Sequence, residues 1–216
     1  MTLLQADALT VRLGDALLVD AVSLELGRGE LFGLIGPNGA GKSSLLRALA
    51  QLLPHQGHTR VDGAALDSLS PVARARRIAY LAQGDHTAWP LMVRDFVALG
   101  RLPYGREDAG ERTAVEAALA HMHLEALATR RIDGLSGGER ARTRLARALA
   151  VEAPLLLADE PVAALDPYHQ LSVMELLRRQ CALGRSIVVV LHDLTLASRF
   201  CDRVLLMHQG RAVACG

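Results

Sequence analysis

Gly36-Pro37-Asn38-Gly39-Ala40-Gly41-Lys42-Ser43 meets the pattern G-x-x-x-x-G-K-[ST] at every fixed position. The run ahead of it, Glu30 to Ile35, reads as a strand. The run behind it, Ser44 to Leu53, reads as a helix with Leu45, Leu46, Leu49 and Leu52 on one side. Strand, glycine-rich turn and helix, in that order, form the context this pattern requires. Glycines let the backbone curl so that successive N–H groups point inward. With the positive end of the helix, those groups can hold phosphate oxygens. Lys42 would reach the β- and γ-phosphates of ATP, Ser43 would offer its hydroxyl to Mg²⁺, and Ser44 closes the set of nucleotide-contact candidates.

The chain has 216 residues, which fits one large α/β domain or one domain with an inserted lobe. Half of the residues are hydrophobic, and a chain of this length buries about 70% of its extended surface. The 24 basic and 23 acidic residues leave a net charge of +1, so no basic footprint for nucleic acid is expected. Cys181, Cys201 and Cys215 lie far apart without metal-ligand spacing and read as reduced thiols of a cytosolic protein. No signal peptide is expected at the N-terminus, and no apolar run approaches the length of a membrane span.

Leu3 to Leu13 and Leu17 to Leu26 read as antiparallel strands around Gly14-Asp15, with another short strand at Thr59 to Val61. Pro71 to Arg77 reads as a helix, and Ile78 to Ala82 as a buried strand ending at Gln83. From Gly84 to about Arg131 strand-like runs vanish, and Val93 to Leu99, Glu111 to His121 and Leu124 to Ala128 read as helices of an inserted lobe over approximately 84–134. Arg140 to Glu152 continues as a helix. Leu155 to Ala158 and Ile187 to Leu191 are bare apolar runs that read as central parallel strands. Helices at Tyr168 to Cys181 and Leu194 to Phe200 follow them, and Arg203 to Met207 with Arg211 to Ala214 reads as a closing hairpin.

Ligands of open α/β sheets gather beyond the carboxyl ends of the strands. Three strands here end in chemistry: one in the glycine loop, one in Asp159-Glu160 and one in His192. Asp159 can hold Mg²⁺ opposite Ser43, and Glu160 can polarise a water for in-line attack. His192 can hydrogen-bond the γ-phosphate, and Gln83 can complete metal or water coordination. Ser136 to Glu139 has the S-x-x-E form of a capping box, and its adjacent Gly137 and Gly138 also make an anion-receiving helix end.

Together these residues resemble the nucleotide-binding subunit of an ATP-binding-cassette transporter, over essentially the whole chain and in the family's order. Gly36 to Ser43 is similar to the Walker A loop, Gln83 to the Q-loop glutamine, and Leu135 to Glu139 to the LSGGQ signature with Glu139 in place of glutamine. Leu155 to Glu160 is similar to Walker B with its catalytic glutamate, Ala164-Leu165-Asp166 to the D-loop, and His192 to the switch histidine. The resemblance implies an α/β P-loop NTPase with an ABC-type antiparallel β subdomain, a RecA-like parallel-sheet core and an inserted helical subdomain. It implies Mg²⁺-dependent ATP hydrolysis by two copies arranged head to tail, with Ser136 and Gly138 touching the partner's γ-phosphate and Asp166 at the seam. It also implies polytopic permease subunits docked on the helical lobe, a substrate-binding protein reached indirectly, and a peripheral place at the cytoplasmic face of a membrane.

The stretches Arg77-Ile78-Ala79-Tyr80-Leu81-Ala82-Gln83, Ala88-Trp89-Pro90-Leu91-Met92-Val93-Arg94-Asp95 and Leu99-Gly100-Arg101 resemble the importer branch for iron–siderophore, haem or cobalamin. Exporter ATPases and non-transport cassette ATPases are the alternatives. Two departures stand out. The aromatic that stacks on adenine in the family falls near Leu13, which is aliphatic. The chain ends at Gly216, where members of the family commonly continue into further C-terminal helices.

Overall fold

The computed structural model describes residues 1–84, 90–105, 108–163 and 165–216. Strands β1 (Thr2–Leu13) and β2 (Ala16–Gly27) pair antiparallel around a two-residue turn in which Gly14 has φ 57°. The chain then enters β3 (Leu31–Ile35), the glycine loop and helix α1 (Lys42–Leu49). Strands β4 (Gln56–Val61) and β5 (Ala64–Ala65) return to the first hairpin and complete a four-stranded sheet, β2-β1-β4-β5. Its alternation is that of a sheet with one dry face. Leu4, Leu9, Val11, Val19 and Val22 are buried, with polar neighbours turned outward.

Helix α2 (Pro71–Ala75), capped by Ser70, leads to β6 (Ile78–Leu81). Among the described residues between β6 and the helix that opens at Gly137 the chain is mainly helical, led by α3 (Val93–Ala98) and α4 (Glu111–His121), with a single antiparallel bridge between Met92 and Arg131. Helix α5 (Gly137–Ala150) brings the chain back to β7 (Leu155–Ala158), α6 (Pro167–Ala182), β8 (Ser186–Val190), α7 (Leu194–Phe200), β9 (Arg203–His208) and β10 (Arg211–Cys215). The second sheet has six strands in the order β10-β9-β3-β8-β7-β6, parallel except for the edge hairpin β9–β10.

Each central strand sends alternate residues to opposite faces, so both faces must be covered. On β3, Phe32 and Leu34 join the core beneath α1 and the four-stranded sheet, whereas Leu31 and Ile35 join the core beneath α3 to α7. Leu155 and Leu157 divide from Leu156 and Ala158 on β7 in the same way. The helical segment is tied to the C-terminal end of α5 by Arg101, which is 4% exposed. Its guanidinium donates to Asp108 at 2.7 Å, to Glu152 at 2.7 Å and to the Ala150 carbonyl at 2.8 Å, and it stacks on Tyr104.

Four local expectations need correction. Helix α1 stops at Leu49, because Gln51 turns left-handed at φ 60°, and Leu52 is left 57% exposed rather than on the helix's apolar side. Helix α5 starts at Gly137 and not at Arg140, since the Ser136–Glu139 cap opens it there. The helix expected over Leu124 to Ala128 is a single 3₁₀ turn, Glu125–Leu127. The helix expected over Pro71 to Arg77 ends at Ala75. Ala88 and Trp89 of the importer-like stretch, and Ala164 ahead of Leu165-Asp166, lie outside the described residues.

Candidate functional site

The glycine loop sits at the carboxyl end of β3, where two distant segments press against it. Gly36, at φ 140°, lies so close to β9 that a Cβ there would be 2.1 Å from the Met207 carbonyl oxygen. Gly41, at φ 96°, lies against β2, with a Cβ position 2.3 Å from the Leu18 carbonyl oxygen. These glycines therefore serve close backbone packing as well as the left-handed turns that L side chains avoid. The tip of the β9–β10 hairpin supports the loop from outside, with the Gly210 N–H donating to the Ala40 carbonyl at 3.1 Å.

A cleft of about 760 Å³ opens above the loop. It is lined by Asn38, Gly39, Ala40, Gly41, Lys42, Ser43 and Ser44 on one side and by Gln83, Glu160 and His192 on the other, with Leu18 at its edge. Gly36 and Pro37 contribute carbonyls instead of lining. Lys42 is 5% exposed and donates to the Gly36 carbonyl at 2.7 Å and the Pro37 carbonyl at 2.9 Å. Burial lowers the Lys42 ammonium's pKa, against the opposing pull of Glu160 and Asp159.

Three strand ends meet at the cleft floor. Asp159 is 1% exposed, and its Oδ1 accepts from Ser43 Oγ at 2.8 Å. Its other oxygen accepts from Tyr80 at 3.3 Å. Glu160, the next residue, has φ 49°, a left-handed conformation costly for a residue with a side chain. Its carboxylate accepts from Gln83 Nε2 at 2.6 Å on one oxygen and from His192 Nε2 at 2.5 Å on the other. Gln83 and His192 lie 77 and 32 residues from Glu160 in sequence, so this clamp exists only in the fold.

Hard oxygen donors at Ser43 and Asp159 suit Mg²⁺. Among the described residues no three His, Cys, Asp or Glu side chains cluster as a metal cage. A pair of protein oxygens fits an ion that keeps water and phosphate as its other ligands. Any metal contact by Gln83 falls to its amide oxygen, because its nitrogen donates to Glu160.

The signature-like segment lies elsewhere. Ser136, Gly137, Gly138, Glu139 and Asp166 do not line the cleft. Ser136 and Glu139 form a complete capping box, with Ser136 N donating to Glu139 Oε2 at 2.8 Å and Glu139 N to Ser136 Oγ at 3.3 Å. The Ser136 N–H holds the Glu139 carboxyl below its ordinary range. Asp166 caps α6 and accepts from both the His169 backbone N–H at 3.0 Å and His169 Nδ1 at 2.6 Å. The His169 ring then covers Gly138, where a Cβ would come within 2.1 Å of it.

Leu13, the residue expected beneath adenine, is 69% exposed at the end of β1 and does not line the cleft; Leu18 of β2 does. Sequence reading also passed over Tyr80 and His169. His169 had a legible signal, an imidazole three residues after a capping aspartate, whereas Tyr80 and Leu18 had none short of strand register. All three cysteines are free, and burial pushes the Cys181 thiol up to about 12 and the Cys201 thiol up to about 11. No helix among the described residues is long and apolar enough to cross a membrane.

A family model described as ABC transporter matches residues 19–163. A hemin import ATP-binding protein, HmuV, from Streptomyces coelicolor is 45% identical over 98% of this chain and 76% of its own length. The protein of the same name from Pseudomonas entomophila is 42% identical over 98% of this chain and 86% of its own length. Among solved structures, the ATP-binding cassette MJ0796, a dimer in a post-hydrolysis state bound to ADP and Pi, superposes with a TM-score of 0.85 at 27% identity, covering 99% of this chain and 97% of that one.

Proposed function

This chain belongs to the ABC transporter family, and from that membership we propose that it is the ATPase subunit powering import of haem or a related iron chelate or cobalamin. ATP binding and hydrolysis follow from the family. The cargo reading is supported by the hemin importers at 42% and 45% identity. The observation that carries the site reading is the clamp on Glu160, a carboxylate held by Gln83 and His192 across the cleft from the phosphate loop.

In this reading the loop N–H groups from Gly36 to Ser44, with Pro37, Asn38, Gly39, Ala40 and Gly41 shaping their curl, bind the triphosphate. Lys42 exchanges its carbonyl partners for phosphate oxygens. Mg²⁺, held by Ser43 and Asp159 with the Gln83 amide oxygen, would neutralise charge on the phosphates. Glu160 takes the proton of the attacking water. Each of its oxygens accepts one hydrogen bond and keeps a second lone-pair direction for the water. His192 Nε2–H can turn from Glu160 to the γ-phosphate, and losing that donor makes the carboxylate a stronger base. Hydrolysis is thereby favoured once the γ-phosphate is bound.

Ser136 to Glu139 and Asp166 lie outside the chain's own cleft, which supports a head-to-tail pair in which each signature segment completes the partner's site. The dimeric relative at 27% identity favours the same reading. The helical segment between β6 and α5 is the proposed seat for polytopic permease subunits. The complex would sit at the cytoplasmic face of a membrane, with a binding protein delivering cargo on the other side. Reconstitution with its permease in liposomes tests this. ATP-driven uptake of haem is expected and should vanish with Glu160→Gln; uptake of a different chelate would move the cargo, and hydrolysis with no uptake of any kind would overturn the transport role.

A further inference from the structure

We infer that Tyr80, backed by Arg47, is a positioning residue that sets the affinity of the Ser43–Asp159 pair for its divalent cation. The inference rests on Asp159 being a metal ligand. Asp159 is a buried carboxylate at the end of β7, 1% exposed, and a buried carboxylate is costly unless both oxygens find donors. Ser43 supplies one donor at 2.8 Å, and the Tyr80 hydroxyl supplies the other at 3.3 Å.

Strand register puts Tyr80 there. Strands β6 and β7 pair in parallel with Tyr80 opposite Leu157. Side chains two apart on a strand share a face, so Asp159 follows Leu157 onto the face that Tyr80 occupies. The backbone locks the same register, with the Asp159 N–H donating to the Leu81 carbonyl at 2.8 Å. Tyr80 and Leu157 belong to the core beneath α1, the helix that carries Ser43 at its first turn and Arg47 at its last.

Arg47, in the last turn of α1, places a positive charge beside Tyr80, although burial outweighs it and leaves the phenol's pKa raised. With Ser43 on Oδ1 and Tyr80 on Oδ2, the two donors fix the plane of the Asp159 carboxylate and keep Oδ1 turned toward Ser43. Partners of metal ligands typically change metal affinity by about 10- to 100-fold when removed.

The test measures Mg²⁺ dependence of a fluorescent ATP analogue's binding to the intact chain, which needs no turnover. Tyr80→Phe keeps the ring and deletes the hydroxyl. It should raise the half-saturating Mg²⁺ concentration by about tenfold or more, while binding in EDTA stays at the wild-type level. Arg47→Met should shift it in the same direction and by less, and it also stands in if Tyr80→Phe fails to fold. Asp159→Asn is the reference. If Asp159→Asn abolishes the Mg²⁺ effect and neither Tyr80→Phe nor Arg47→Met moves it beyond about twofold, the inference fails and the metal site stands. If Asp159→Asn leaves the Mg²⁺ effect intact, the metal assignment itself fails. Equal weakening with and without Mg²⁺ would reduce Tyr80 to a packing residue and overturn the inference.

Discussion

Replacing Glu160 by glutamine separates the base from the scaffold that holds it. The carboxylate accepts on one oxygen from Gln83 at 2.6 Å and on the other from His192 at 2.5 Å. A glutamine keeps one acceptor and puts an NH₂ donor in the other position, so one neighbour meets a donor instead of an acceptor. That neighbour can adapt, Gln83 by rotating its amide and His192 by moving its proton to Nδ1. The net loss is then about 1 kcal/mol, the size of one ordinary hydrogen bond. In a chain of this length that lowers Tm by roughly 2–4 °C. The chemistry suffers far more. Losing a positioned general base slows proton transfer by about 10²–10⁴-fold, a barrier increase of about 2.7–5.5 kcal/mol. Phosphate release at saturating ATP should therefore fall at least about 100-fold, while titration with a fluorescent ATP analogue gives an affinity within about threefold of wild type. A variant that hydrolyses at more than about a third of the wild-type rate would refute the assignment of Glu160 as the base.

Three further outcomes follow from the packing. Gly138→Ala would ordinarily stabilise a helix by about 1 kcal/mol, but its Cβ would meet the His169 ring at 2.1 Å and force the ring off Asp166, so that gain should be absent. In a His169→Ala background the same substitution should raise the urea midpoint; no gain there would mean the ring is not the obstacle. Arg101→Leu removes the donor that Asp108, Glu152 and the Ala150 carbonyl share, and should lower the urea midpoint. Glu152→Gln, at a side chain 54% exposed, should cost less than about 1 kcal/mol. Burial alone would raise the Asp202 carboxyl's pKa, but donation from Arg178 and from the Leu31 N–H outweighs it and holds the carboxyl below its ordinary value. A group with a lowered folded pKa stabilises above its unfolded value, and that contribution is lost as pH falls through the folded one. Asp202→Asn should therefore be less stable than wild type near neutrality and show a shallower loss below about pH 4, read from thermal melts across pH.

Contiguous residues wrote the phosphate loop, the capping box at Ser136 and the bare strands β3, β7 and β8, because each depends on a short pattern that local geometry enforces. For the same reason the motif order along the chain was enough to name the family. Lys42 finds its carbonyl partners within the loop, but most of what holds the site together crosses more distance. Gly36 and Gly41 face carbonyls of Met207 and Leu18, Glu160 is clamped from 77 and 32 residues away, and Tyr80 meets Asp159 through the pairing of β6 with β7. Helix α1 shows the limit within a single element, since periodicity ran on to Leu52 but the left-handed Gln51 ended the helix first. Leu13 and Leu18 differ by five positions on one hairpin, yet only the approach of β2 to the loop puts Leu18 at the cleft. Chemistry that sits within a few residues is set by the backbone's own preferences, whereas partners brought together by sheet register exist only once the strands have paired.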